Sequence, residues 1–131
     1  MILSDTSAWI ELIRDGDSAV VERLDQLLVE REVAITEPIA MEVLSGARDR
    51  AHAVRLQSML AGLPVMHVQG LADWERAAAL YRTCRAAGVT PRSQIDCLIA
   101  VVAIREDVEI LHTDRDFDEI AKHTSLRIAP V

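Results

Sequence analysis

Aromatic side chains are almost missing from this chain. Trp9, Trp74, Tyr81 and Phe117 are the full set in 131 residues. The core must therefore be aliphatic, and aromatic platforms for stacking single-stranded bases are not to be expected. Cysteine is scarce too. Cys84 and Cys97 lie in apolar, helix-like contexts and read as buried reduced thiols rather than a disulfide or metal pair. No long apolar run exists: the longest, Cys97 to Ile104, has eight residues and is too short to span a bilayer. The N-terminus lacks a basic segment, and Asp5 and Glu11 interrupt its apolar residues, which argues against a signal peptide. A soluble cytoplasmic protein is the expectation. G-x-S-x-G, P-loop and G-x-G-x-x-G patterns are all missing, so serine-hydrolase, NTPase and dinucleotide readings lack their main parts. His52, His67, His112 and His123 have no ligand spacing and read as surface or strand-end residues.

Lysine is nearly absent as well. Thirteen of the 14 basic residues are Arg, and the net charge is −7. That balance argues against broad nucleic-acid binding, which draws on Lys and Arg. The distribution softens the objection. Arg76, Arg82, Arg85 and Arg92 lie in a stretch to Ile95 that contains no acid. A solvated helix face is the ordinary reading of such a run, yet Arg also suits bidentate phosphate contacts.

What the chain does have is hydrophobic patterning of a globular kind. Half the residues are hydrophobic and 27% are charged, over a length that suits one domain, residues 1–131. Met1 to Ser4 reads as a short buried strand. Thr6-Ser7 opens a helix to Ile13, and Gly16-Asp17-Ser18 breaks and recaps it. The next helix runs to about Arg31, with Val20, Val21, Leu24, Leu27 and Leu28 on one face. Residues 33–35 form a second strand. Thr36-Glu37-Pro38 starts a helix to Leu44, with Thr36 as N-cap. Further helices are expected over 47–61, 71–87, from 90–93 to Arg105, and over 116–123. Strands are expected at 64–68, 109–112 and 126–129. Strands alternating with helices predict an α/β fold with a mostly parallel sheet covered on both faces.

Five acids stand out in this frame: Asp5, Glu42, Asp96, Asp114 and Asp116. Each lies in or beside an apolar stretch, where an ionised carboxylate is costly unless paired or metal-bound. Asp5 closes the first strand, and Asp114 and Asp116 follow the strand at 109–112. Ligands of open α/β sheets bind beyond the carboxyl ends of the strands, so these acids meet if the two strands are neighbours. Taken singly, Asp5, Asp114 and Asp116 can each serve as a helix cap, and Glu42 as an exposed helix residue. Taken together, the carboxylates would suit Mg²⁺ or Mn²⁺. Crowded carboxylates repel, so at least one should have a raised pKa.

The order of four segments carries a resemblance. These are Ile2-Leu3-Ser4-Asp5-Thr6-Ser7-Ala8-Trp9, Glu37 to Gly46, Arg92 to Ala100, and His112-Thr113-Asp114-Arg115-Asp116-Phe117. The chain resembles PIN-domain ribonucleases, most closely the VapC-type toxins of bacterial type II toxin–antitoxin pairs. The resemblance implies a PIN-like, Rossmann-like sheet of five parallel strands. It implies Mg²⁺- or Mn²⁺-dependent endonuclease activity on RNA, often tRNA or ribosomal RNA. It also implies a homodimer and a cognate VapB-type antitoxin that blocks the site. By position, Asp5, Glu42, Asp96 and Asp114 match the acidic quartet, Asp116 the extra acid beside the fourth, and Thr113 a small hydroxyl position. Asp5 and Asp96 are the expected direct ligands. Glu42 and Asp114 are expected to hold water in the metal's shell or a second metal. Arg92 is a candidate for substrate phosphate or for a structural role. An arginine of the antitoxin is expected near the carboxylates, since a basic segment suits an acidic cleft. The faces Val20/Leu24/Leu28 and Leu56/Leu60 are candidates for dimer or antitoxin contacts, with core packing as their commoner use. A different class of function, a non-catalytic metal- or partner-binding module of PIN-like or flavodoxin-like fold, would use the same acids without hydrolysis.

Overall fold

The computed structural model describes residues 1–131. The order is β1 (Ile2–Ser4), α1 (Thr6–Ile13), α2 (Ala19–Glu30), β2 (Val33–Ala34), α3 (Glu37–Ser45) and α4 (Arg50–Ala61). It continues with α5 (Gly70–Ala86), α6 (Gln94–Arg105), β3 (Glu109–Leu111) and α7 (Arg115–His123). The sheet is parallel in the order β2-β1-β3, with Ile2 opposite Val33 and Ser4 opposite Leu111. Ile2, Leu3 and Ser4 are all buried. Successive strand residues point to opposite faces, so the central strand is covered on both sides.

Three strands stand where five were expected. The segments at 64–68 and 126–129 each survive as one parallel bridge, Ile35 with Val65 and Ile110 with Ile128. Each bridge keeps two backbone bonds: Ile35 donates to Pro64 and accepts from Met66, and Ile110 donates to Arg127 and accepts from Ala129. The register is therefore that of a five-membered sheet. The first of these outer members is cut short at Pro64, which accepts from Ile35 but has no N–H to extend the ladder backwards.

Seven helices form where the sequence places them, with shifted ends. Helix α4 starts at Arg50 rather than Ala47, because the Asp49 carboxylate accepts the N–H of His52 at 2.8 Å and fixes the first turn there. Thr36 sits at the N-cap of α3, but its side chain does not cap; its hydroxyl donates to Glu37 at 3.3 Å. Helix α5 closes at Gly88, whose φ of 88° is accessible to glycine at no steric cost. The predicted face of α2 is the buried one, with Val21, Leu24 and Leu27 inside. Leu56 and Leu60 are buried in the same way, so these faces serve the core.

Helix α6 is the centre of the molecule. Every residue from Asp96 to Ala103 is buried, and the helix packs on α5, α3, α7 and β3. Cys84 of α5 and Cys97 of α6 are free and buried, and burial pushes the Cys97 thiol up to about 12. Of the histidines expected at the surface or at strand ends, His52 departs by being buried in α4, while His112 stands at the end of β3 as expected. His52 is buried and accepts the N–H of Arg48, and the His112 ring is buried against Phe117, centroids 5.3 Å apart.

One buried group is out of place in this core. The Ser4 hydroxyl in β1 has no hydrogen-bond partner. A lone buried hydroxyl costs more than it returns, so Ser4→Ala is expected to raise stability by about 1 kcal/mol. Urea unfolding reads this directly, and a destabilised variant would contradict it.

Candidate metal centre

The sheet register decides where the acids meet. Pairing of β1 with β3 sets Asp5 beside the end of β3, where its N–H donates to Leu111 O at 2.9 Å. Helix α3 brings Glu42, and the first turn of α6 brings Asp96. Asp114 and Asp116 come from the start of α7. All five lie on elements that converge at the carboxyl end of the strands.

Asp5 has two roles, one per oxygen. Oδ2 caps α1, accepting from the Ser7 N–H at 3.0 Å and the Ser7 hydroxyl at 2.8 Å. Oδ1 is buried with no hydrogen-bond partner. A bare, buried carboxylate oxygen is expensive, and it is the natural seat for a hard cation. Burial, with Asp114 nearby, raises the Asp5 pKa despite the Ser7 bonds. Glu42 is half-buried and accepts the Thr6 hydroxyl at 2.8 Å; burial and the neighbouring Asp5 raise its pKa also.

Asp96 has the strongest perturbation. It is 8% exposed, and burial followed by repulsion from Asp5, Asp114, Glu42 and Asp116 pushes its pKa up to about 7. A raised pKa is expected from crowding; here burial is the larger cause and repulsion the second, on the group flanked by apolar residues on both sides. Carboxylate oxygens of Asp96, Asp114 and Asp116 lie within 4.8 Å of one another, a group able to hold a metal ion.

Asp114 is the N-cap of α7, accepting the Asp116 N–H at 3.0 Å. Asp116 lies inside the first turn and caps nothing, so the capping role expected for both acids belongs to Asp114 alone. Arg92 ties the two together. Its Nη2 donates to Asp114 at 2.8 Å and its Nε to Asp116 at 3.0 Å. Thr113 is exposed at the rim, sharing a groove with Ser7, Ile10, Glu11, Arg14 and Gly16.

Two supporting residues carry no signal of their own in the sequence. The Ser7 hydroxyl donates to Asp5 and accepts the Thr113 N–H at 3.0 Å, bridging the loops after β1 and β3. His112 Nδ1 accepts the Asp114 N–H at 2.9 Å, and its Nε2 faces Asp118 at 3.1 Å. The Ser7–Thr113 bond depends on which strands are neighbours, whereas the His112 bonds are local, to residues two and six positions on. Only the small polar type of Ser7, two residues after an acid, hints at such use.

The PIN domain family model matches residues 2–123. Across 131 residues, and 98% of each chain, the sequence is 47% identical to the VapC ribonuclease Mb1587 of Mycobacterium bovis and to ribonuclease VapC11 of Mycobacterium tuberculosis. This chain belongs to the VapC family of PIN-domain ribonucleases. The fold agrees independently of sequence: VapBC2 from Rickettsia felis superposes with a TM-score of 0.74 over 98% of both chains, at 18% identity. In this PIN domain all four segments that carried the resemblance fall inside the matched region, and the acids within them are the ones that converge.

Proposed function

We propose that this protein is the toxin of a type II toxin–antitoxin pair. It is a single PIN domain over residues 1–131 that hydrolyses RNA phosphodiester bonds, in tRNA or ribosomal RNA, with Mg²⁺ or Mn²⁺. The observation that carries this reading is the buried, unpartnered Asp5 Oδ1 in a cluster of carboxylates that also holds Asp96. The 47% identity to ribonucleases of the same length supports the reaction class.

Roles follow from geometry. Asp5 and Asp96, the most enclosed of the five, are the direct metal ligands. Glu42, held by Thr6, and Asp114, held at the α7 cap, orient water around them. Asp116 fixes Arg92, whose remaining donors, together with Thr113, face the substrate. The metal supplies Lewis-acid stabilisation of charge on the scissile phosphate and activation of water. Ser7 and Thr6 hold the carboxylate rotamers so that little reorganisation is needed when charge develops.

The partners are RNA, a second copy and a VapB-type antitoxin. The R. felis relative is a VapBC complex on promoter DNA, which supports an antitoxin for this chain. Met41, Leu71 and Trp74 are more than half exposed, and Trp74 lines both a cavity of about 570 Å³ on α5 and α6 and the adjoining one with Met41. This apolar strip suits the homodimer contact. No helix is long and apolar enough to cross a membrane. The place of action in this reading is the cytoplasm, where the RNA substrate is. A basic side chain of the antitoxin approaches Asp5 and Asp96.

Cleavage of total RNA is expected from the wild type with Mn²⁺ and not with EDTA, while Asp5→Asn loses about a hundredfold or more, above the usual cost of disturbing a metal's outer shell. Millimolar Mn²⁺ should also raise the wild-type melting temperature. Equal cleavage by wild type and Asp5→Asn would sink the enzyme reading.

A further inference from the structure

One cation of the chain itself already sits on the acidic cluster. Arg92 Nη2 bonds Asp114 Oδ1 at 2.8 Å, and Nε bonds Asp116 Oδ2 at 3.0 Å. The backbone N–H of Arg92 adds a third bond to the same Asp116 oxygen at 3.2 Å. Asp116 is thus gripped by both the main chain and the side chain of one residue. The guanidinium is always charged and bridges the two carboxylates as a fixed positive plane.

The other end of the cluster is built differently. Asp5 Oδ1 is buried without a partner, and no Lys, Arg or His pairs with Asp5, Glu42 or Asp96. One end of the acid cluster therefore has its counter-charge in place, and the other has none. Nucleases that use two metals hold them about 3.5–4 Å apart, bridged and flanked by carboxylates. A second divalent ion beside Asp114 and Asp116 would have to sit against a guanidinium or displace three hydrogen bonds.

We propose that Arg92 takes the place of a second metal, so that the cluster holds one divalent ion per chain, on the side of Asp5 and Asp96. The inference rests on reading the acids as a metal site, and it deepens that reading by fixing the stoichiometry. Arg92 then completes charge balance at Asp114 and Asp116 and keeps both carboxylates aimed inward.

Titration calorimetry with Mn²⁺ on the intact protein tests it. Wild type is expected to bind one Mn²⁺ per chain. Arg92→Gln, which removes the charge and keeps the backbone bond, is expected to bind two, the second more weakly. Arg92→Lys should stay at one. Arg82→Gln removes an arginine that pairs with no acid, and it should also stay at one. The Arg92 side chain is 63% exposed, so its replacement leaves the core intact, and circular dichroism verifies this. Two ions in wild type, or one in Arg92→Gln, overturns the proposal. Either result leaves the ribonuclease reading standing if Asp5→Asn has lost cleavage. Failure of any Mn²⁺ to bind overturns both.

Discussion

Asp96→Asn is expected to abolish RNA cleavage and, at the same time, to stabilise the metal-free protein. Asp96 is nearly buried, and its pKa is pushed up to about 7 by burial and four neighbouring acids. The sign follows from proton uptake. Because its folded pKa lies above its ordinary value of 3.8, the folded state binds the proton more tightly. The group's contribution is fully present below about pH 4 and is lost as pH rises through about 7. A rise from 3.8 to about 7 corresponds to about 4 kcal/mol at most. Water reaching the site and the burial of an amide both reduce what the substitution returns. A net gain of about 1–3 kcal/mol at pH 8, several degrees in Tm, is the expected result, shrinking towards zero at pH 4. Glu37 and Asp73 have lowered pKa values, so their contributions fade only as pH falls below the ordinary carboxylate range. The three carboxylates with raised pKa values, Asp5, Glu42 and Asp96, all belong to the metal site. Thermal melts of wild type and Asp96→Asn in EDTA across pH 4–8 check this. A pH-independent difference between them would remove the electrostatic explanation.

Arg105→Met is expected to be the most destabilising of these changes. Asp73 is fully buried in α5, yet charged, because Arg105 at the end of α6 donates to it from Nη2 at 3.0 Å. The Gln69 N–H at 2.8 Å and Arg76 at 3.2 Å complete its partners. Arg105 also donates to the His67 carbonyl at 2.7 Å, so one side chain joins α6, α5 and the segment before it. Removing Arg105 leaves the buried carboxylate only the Gln69 N–H and the exposed Arg76, at a cost of up to about 3–5 kcal/mol. The double variant Asp73→Leu/Arg105→Met should recover most of that loss, since neither charge remains to be satisfied. Guanidinium unfolding of the three variants separates the outcomes. A double variant no more stable than Arg105→Met would show that packing, not charge, holds this junction.

Local chemistry makes some of this molecule readable in advance, and only its partnerships are hidden. Asp5 at the end of an apolar run, Thr36-Glu37-Pro38 before a helix, and Gly88 after one are signals within a few residues, and each element lies there. Helix starts slip where a cap is overlooked, as at Asp49. The convergence of the acids is readable only through an assumed neighbour relation, which the pairing of β1 with β3 supplies. What cannot be read are contacts across long separations. Arg92 looks free in an acid-free stretch, but its two acids lie 22 and 24 residues on. Asp73 looks like an ordinary first-turn acid, but its partner Arg105 lies 32 residues away. Residue type sets what a side chain can bond to; only the folded path decides which bond it finds.

The shortened outer members of the sheet have a consequence for assembly. A partner that adds a strand needs a run of unpaired N–H and C=O groups along an edge. Here each flank of the sheet ends in one bridged residue, Val65 next to Pro64 and Ile128 two residues before Pro130. The border gives an incoming chain almost nothing to zip onto. A protein that seizes this one must do so with side chains, laid across helix faces or reaching into the acidic mouth. Its specificity would then be written in shape and charge rather than in main-chain bonds.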